Sequence, residues 1–297
     1  MTSAAFHKIA GTTRLTGIFG DPVDHSRSPA MHNAAYAALE LDRIYVPFHV
    51  KPAALPTALR SITALGILGV NLTVPHKERA VRLVDELSAE ARVLGAVNCV
   101  ANRKGRLYGD NTDARGLELD LRERAPGLAG GVAIVIGAGG GAAAAAVACL
   151  RIGVSKIVIA NRTRARAARL ARRIAKSFRR APRIEVRGLD ALFDAQLLAG
   201  AHGILNATPM GLTTRRFARL NYEAAAEDCF FYDLIYAAKP TPFLEPAVEA
   251  GRRAADGAGM LVNQGELAFK LFNGVAPPRG VMSSALFESL GRTLDVE

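Results

Sequence analysis

Four glycines and two arginines carry the first chemical signal in this chain. Gly137, Gly139, Gly140 and Gly141 follow the apolar run Val132–Ile136, and Arg162 and Arg166 follow a second apolar run, Val154–Ala160. Between the two, Ala142–Ala146 opens a helix that Gly153 closes. The stretch reads as strand, glycine turn, helix and strand. Glycines at such a turn let backbone approach a pyrophosphate, and the helix N-terminus offers free N–H groups to the anion. Gly137 and Gly139 take the first two places of the G-x-G-x-x-G/A pattern, and Ala142 takes the third. The second strand of such a site usually ends near an Asp or Glu that holds the ribose hydroxyls. Here it ends Asn161-Arg162-Thr163, with Arg164 and Arg166 close behind. Arginine suits a 2′-phosphate, so the expected cofactor is NADP rather than NAD. The residues expected to hold it are Gly137, Ala138, Gly139, Gly140, Gly141, Asn161, Arg162, Thr163 and Arg166. The bland alternative is a tight strand-to-helix turn with no ligand. The length of the unit and the chemistry of its basic end favour binding.

The first half carries three polar clusters at strand ends or helix starts. They are Ser26-Arg27-Ser28, then Asn71 to Lys77, then Asn98 with Gly109 to Asp113. Lys77, on the first turn of a helix, is of a type that can serve as a general acid or base when its amine is accessible. Burial and a helix N-terminus favour its amine, and a nearby carboxylate favours its ammonium, so the two influences oppose each other. Taken alone, Lys77 would be a surface lysine after a proline, and Ser28 a helix N-cap ahead of Pro29.

Alternating strands and helices must position these groups. Strands are expected at Leu15–Phe19, Ile44–Val50, Leu68–Leu72, Val132–Ile136, Val154–Ala160, Ile184–Val186, Gly203–Asn206 and Phe230–Ile235, with a hairpin of Val97–Asn102 and Arg106–Tyr108. Helices are expected at Ala30–Glu40, Ala53–Leu65, from Pro75, and at Ala89–Gly95, Ala114–Arg124, Gln264–Phe272 and Met282–Leu290. Pro126–Gly131 breaks the pattern and marks a domain boundary. The fold class is α/β in both halves, with the cofactor domain second and the site in the cleft between them.

Composition narrows the classes. The 297 residues suffice for two domains. No apolar stretch approaches the ~20 residues that span a bilayer, and the first residues lack the apolar core of a signal peptide. Cys99, Cys149 and Cys229 are widely spaced, which points to reduced, mostly buried thiols and a cytoplasmic protein. The histidines make no metal-ligand spacing, so no metal is expected. The net charge of +11 is concentrated. Arg162 to Arg187 holds ten arginines and one lysine against Glu185, which leaves about +1 for the rest of the chain. Around the apolar stripe Ala167, Leu170, Ala171, Ile174 and Phe178, these charges read as a solvated helix face and a positive field for an anionic cofactor. No aromatic residues interleave for base stacking, so no nucleic acid is expected as a partner.

In order along the chain, the motifs resemble those of the shikimate dehydrogenase family. They are the serine pair Ser26 and Ser28, the NxTxPxK segment Asn71–Lys77, Ala96–Asn98, Gly109–Asp113, the NATPxG turn Asn206–Gly211, the D-x-x-Y end Asp233–Tyr236 and the GxGMLVxQ segment Gly257–Gln264. The resemblance spans about Leu15 to Leu290. It implies an N-terminal α/β substrate domain and a Rossmann-type NADP domain, at residues 1–114 with helices of about 264–297 packing back, and 115–263. It implies reversible, NADP-dependent reduction of 3-dehydroshikimate to shikimate in aromatic amino-acid biosynthesis. Lys77 would move the hydroxyl proton and Asp113 would hold the lysine. Ser26 and Ser28 would bind the substrate carboxylate, with Tyr236 near it. Asn71, Thr73, Asn98, Asp113 and Gln264 would bind ring hydroxyls. Thr208, Met210, Leu234 and Gly257 would complete the cofactor site. His76 replaces the aromatic or apolar residue often found before the lysine, and reads as packing.

Two departures bear on substrate choice. Ala237-Ala238-Lys239-Pro240 follows Tyr236, where the family often has a proline two residues on, and Leu212–Leu220 carries Arg215, Arg216 and Arg219. The rivals are a quinate/shikimate dehydrogenase with relaxed substrate or NAD use, and a non-catalytic dinucleotide- or nucleic-acid-binding protein. The arginines after the second strand speak against NAD. Lys77 and Asp113 speak against a non-catalytic protein. The expected assembly is a monomer or homodimer.

Overall fold

The computed structural model describes residues 9–178, 181–211, 217 and 220–293. The chain forms two compact units, one of Met1–Thr112 with Gly265–Glu297 and the other of Asp113–Gln264. The break at Pro126–Gly131 therefore lies inside the second unit. It is a single 3-10 turn, Pro126–Leu128, leading into the next strand, and does not mark a domain edge.

In the first unit the elements run β1 (Arg14–Gly20), α1 (Ser28–Ala38), β2 (Arg43–His49), α2 (Leu55–Ala64), β3 (Gly69–Leu72), α3 (Lys77–Ala80), β4 (Glu86–Leu87), α4 (Ala89–Leu94), β5 (Cys99–Arg103) and β6 (Arg106–Asp110). The strands form a mixed sheet in the order β2-β1-β3-β5-β6-β4. β1 runs parallel to β2 and β3, while β5 and β6 are the expected antiparallel hairpin. Lys104 and Gly105 turn that hairpin with φ of 54° and 87°. The apolar side of α2, Leu55, Leu59 and Ile62, packs on Phe19, Val70, Leu72, Val97 and Val100.

The second unit begins with α5 (Asp113–Arg124) and continues β7 (Val132–Ile136), α6 (Gly140–Arg151), β8 (Lys156–Ala160), α7 (Arg164–Ser177), β9 (Arg183–Arg187), α8 (Ala195–Ala199), β10 (Gly203–Asn206), β11 (Phe230–Asp233), α9 (Glu245–Glu249) and β12 (Ala254–Asp256). All six strands are parallel, in the order β12-β11-β10-β7-β8-β9. A sheet covered on both faces needs continuously apolar strands, and β7, β8 and β10 are buried along nearly their whole length. Helix α10 (Ala258–Asn273) starts in the second unit and passes into the first at Gly265, and α11 (Val281–Ser289) packs on α1.

Several expectations shift. α10 starts six residues before the expected Gln264, because Gly257 and Gly259 conceal a helix start. α3 starts at Lys77 and not at Pro75, since the His76 N–H first closes a turn on the Thr73 carbonyl at 2.9 Å. Ser28 is not the N-cap of α1. That position is Arg27, with no side-chain cap bond. Cys99, Cys149 and Cys229 are buried. The basic residues Arg179, Arg180, Arg215, Arg216 and Arg219 lie outside the described residues. Among the described residues no helix is long and apolar enough to cross a membrane.

Candidate active site

In the first unit the expected substrate residues gather at one end of the sheet. Register places Phe19 beside Leu72, Asn71 beside Cys99, and Cys99 beside Asp110. The Thr73 N–H then donates to the Phe19 carbonyl at 3.0 Å and the Asn98 N–H to the Asp110 carbonyl at 3.1 Å. Thr73, Asn98 and Asn111 are thus consecutive neighbours past the strand ends. Gly20 belongs to the same cluster: a Cβ there would come within 2.5 Å of the Thr73 methyl. Ser26 and Ser28 lie on the loop that leaves this end of β1. The Ser26 hydroxyl accepts the Ser28 N–H at 3.3 Å, and Ser28 is buried.

The amides are tightly held. Asn71 Oδ1 accepts from the Tyr45 hydroxyl at 2.9 Å, and its Nδ2 donates to the Asn98 carbonyl at 3.2 Å. Asn98 Oδ1 accepts the Thr112 N–H at 2.8 Å, and its Nδ2 donates to the Thr112 hydroxyl at 2.9 Å. Asn111 donates to the Ala96 carbonyl at 2.9 Å. These bonds fix Thr112, and the buried Asp113 follows it directly as the first residue of α5. Lys77 opens α3, half-buried, and its carbonyl accepts the Val97 N–H at 2.8 Å, which ties its turn to the Ala96–Asn98 segment. His76 is buried, with Nε2 2.7 Å from the Val50 carbonyl, and burial lowers its pKa. That is a packing role. The sequence reading overlooked Tyr45. The alternation of Arg43–His49 gave no signal for it, since Tyr45 shares its strand face with Arg43, Pro47 and His49, and its burial comes from α1 packing over it.

In the second unit the expected cofactor residues follow the carboxyl ends of adjacent parallel strands. Gly137 follows β7, Asn161 follows β8, Ala207 follows β10, Leu234 follows β11 and Gly257 follows β12. The chain moves from β7 to β8 on one side and later returns to β10 on the other, so β7 and β10 flank the switch point where ligands of open α/β sheets bind. Gly137 has φ +123°, and a Cβ on it would sit 3.0 Å from the Ala207 carbonyl oxygen. Gly139 is the N-cap of α6 with no side-chain cap, so no side chain occupies that helix start. Gly141 packs against Leu234, and a Cβ on Gly257 would lie 2.3 Å from the Leu234 carbonyl oxygen. These glycines press the turns after β7, β10, β11 and β12 together.

The Asn206–Gly211 turn has its own bonding. Asn206 Oδ1 accepts the Thr208 N–H at 3.1 Å and its hydroxyl at 2.7 Å, and the Met210 N–H donates to Thr208 Oγ1 at 3.3 Å. Gly211 closes it at φ +98°. Beyond β8, Asn161 Nδ2 donates to the Thr163 carbonyl at 2.9 Å, and Arg162, Thr163 and Arg166 are exposed. Arg164 instead lies 3.3 Å from Asp190. Tyr236 is half-buried after β11, and Gln264 Nε2 donates to the Leu261 carbonyl at 2.8 Å on α10. Gly116 of α5 lets that part of α10 approach, since a Cβ there would meet the Gln264 nitrogen at 2.7 Å. The residues fit a phosphorylated dinucleotide. Backbone lacking a Cβ lies at the helix start, and exposed guanidinium, not carboxylate, follows the second strand.

Comparison with known proteins agrees along the chain. Residues 18–100 match the shikimate dehydrogenase substrate binding domain, residues 121–199 the shikimate/quinate 5-dehydrogenase model, and residues 257–287 the shikimate 5′-dehydrogenase C-terminal domain. The shikimate dehydrogenase (NADP(+)) of Geobacter sp. (strain M21) is 40% identical over 283 residues, covering 94% of this chain and 96% of that protein. A shikimate dehydrogenase crystallised with NADP+ superposes with a TM-score of 0.87 at 35% identity, covering 95% and 97% of the two chains. The Thermus thermophilus enzyme in complex with NADP(H) and shikimate gives 0.82 at 35% identity over 94% and 100%. With ordered motifs, fold and relatives all in agreement, this chain belongs to the shikimate dehydrogenase family.

Proposed function

We propose that this protein catalyses the reversible, NADP-dependent reduction of 3-dehydroshikimate to shikimate. The observation that carries the reading is the Gly137 turn at the sheet's switch point, followed after the next strand by exposed Arg162 and no carboxylate, in a member of this family. When bound, NADP supplies or accepts the hydride.

The chain's own residues divide the remaining work. Residues 1–114 with about 264–297 serve the substrate, and residues 115–263 serve NADP. Lys77 gives a proton to the ring oxygen as carbonyl becomes hydroxyl, and takes it back in reverse. Asp113 orients the lysine and binds a ring hydroxyl. Ser26 and Ser28 donate to the carboxylate, with Tyr236 beside it. Asn71, Thr73, Asn98 and Gln264 hold ring hydroxyls in fixed directions. The turns at Gly137–Gly141, Thr208–Met210, Leu234 and Gly257 cradle the pyrophosphate and nicotinamide side of the cofactor. Asn161, Arg162, Thr163 and Arg166 take the 2′-phosphate. The arginines of α7 supply a field for that cofactor rather than a surface for nucleic acid.

The test is a steady-state panel of shikimate and quinate, each with NADP and with NAD. Turnover of shikimate with NADP well above the other three combinations is expected. Faster turnover with NAD, or of quinate, would overturn the assignment.

A further inference from the structure

Tyr45 stands outside the residues assigned above, yet it is fully enclosed and bound on three sides. Asn33 of α1 grips its backbone twice: Asn33 Nδ2 donates to the Tyr45 carbonyl at 2.9 Å, and the Tyr45 N–H donates to Asn33 Oδ1 at 2.8 Å. His32, the preceding residue, stacks its ring on the phenol with centroids 4.2 Å apart and planes at 18°. His32 is buried among Tyr45, Phe269 and Phe272, and burial pushes its pKa down to about 3, so it stacks as a neutral ring. From β2 the phenol crosses the intervening β1. Tyr45 pairs with Thr16 and Asn71 with Ile18, two residues apart on the same sheet face. The hydroxyl therefore ends 2.9 Å from Asn71 Oδ1.

The polarity of this contact follows from chemistry. A backbone carbonyl only accepts, so the atom of Asn71 facing the Asn98 carbonyl at 3.2 Å must be its NH2. The same carbonyl already accepts the Leu72 N–H at 2.8 Å, which leaves it no freedom to turn. Asn71 Oδ1 must then face the phenol, and the phenol must donate. We propose that Tyr45, clamped by His32 and Asn33, is a positioning residue that locks the Asn71 amide with its NH2 toward the strand end. Asn71 then meets a ring hydroxyl as a hydrogen-bond donor, and selects ligands whose oxygen at that place can accept. The substrate in this statement rests on the function proposed above. The lock itself does not.

Two measurements test it on the full-length protein. Tyr45→Phe keeps the stacked ring and removes only the donor. Its Michaelis constant for shikimate should rise about tenfold, with kcat within about twofold and the constant for NADP unchanged. In an Asn71→Ala background the same substitution should add nothing further, because Tyr45 acts through Asn71. Additive effects, or an unchanged shikimate constant, would overturn the proposal. The second readout needs no activity. The Asn71 side-chain NH2 should exchange slowly with solvent in the parent protein and rapidly in Tyr45→Phe. Equal exchange would overturn the lock even if the activity assignment held. Slow exchange in the parent with no shikimate turnover would retain the lock and discard the assignment. His32→Phe, which preserves the stack, should leave both readouts near the parent's, and loss of the lock in a folded His32→Phe protein would remove the clamp from the account.

Discussion

Asn206 Nδ2 donates to Asp233 Oδ1 across 2.9 Å, joining the turns that follow β10 and β11. Both side chains are buried. The same carboxylate oxygen accepts the Ile235 N–H at 3.1 Å, and the other accepts the Thr241 hydroxyl at 2.6 Å. Asn206 in turn holds Thr208. One carboxylate thus fixes the Asn206–Gly211 turn and the strand end that leads to Tyr236.

Burial pushes the Asp233 carboxyl from 3.8 up to about 6, against the lowering effect of its three hydrogen bonds. The folded protein therefore binds this proton more tightly than the unfolded chain does. The resulting stabilisation is full below 3.8 and is lost as pH rises through about 6. At about 1.4 kcal/mol per unit, it is on the order of 3 kcal/mol. Asp233→Asn cannot titrate, so urea midpoints measured across that window should fall less steeply with pH than the parent's. Parallel slopes would show that Asp233 is not the titrating group.

Lys77→Ala should lower turnover of shikimate by roughly 100-fold or more, the usual scale for a general acid/base, while NADP binding stays close to the parent's. Turnover near the parent's rate would remove Lys77 from proton transfer.

Arg162→Ser should raise the Michaelis constant for NADP by about 10- to 100-fold and leave that for NAD nearly unchanged, because only NADP carries the 2′-phosphate. A similar variant at Arg164 should do less, since that guanidinium is engaged by Asp190 at 3.3 Å. Equal losses for both cofactors at Arg162 would indicate general electrostatics.

Gly257→Ala should destabilise the protein by about 1–3 kcal/mol in thermal or urea unfolding, because its new methyl would collide with backbone at the Leu234 carbonyl. Gly127→Ala meets nothing within 4 Å and serves as the neutral comparison. If the two behave alike, the close approach of these turns does not constrain the fold.

Much of this was legible from residue order. A short apolar run rich in β-branched residues, such as Val132–Ile136, specifies a buried strand, and glycine after such a run specifies the turn, because both are local properties of backbone and burial. The polar segments were likewise readable as chemistry: Lys77 in its motif, and arginine where a ribose-binding carboxylate would otherwise be. Short elements were not. β4 with two residues and β12 with three have no periodicity, and they form only because a neighbouring strand offers hydrogen bonds. The start of α10 was hidden for another reason. Gly257 and Gly259 look like loop residues, but the first yields to the Leu234 carbonyl and the second to the Asp120 carboxylate, neither of them near in sequence.

Residue order therefore determined the fold class and pointed to a phosphorylated dinucleotide and to candidate reacting groups. Their directions were decided by tertiary structure. Asn71 could point either way until the Asn98 carbonyl and the Tyr45 phenol met it from two other parts of the sheet. Asp233 could be an ordinary surface carboxylate until the sheet buried it. Hydrogen-bond direction and desolvation depend on what lies across space, and chain order does not state that.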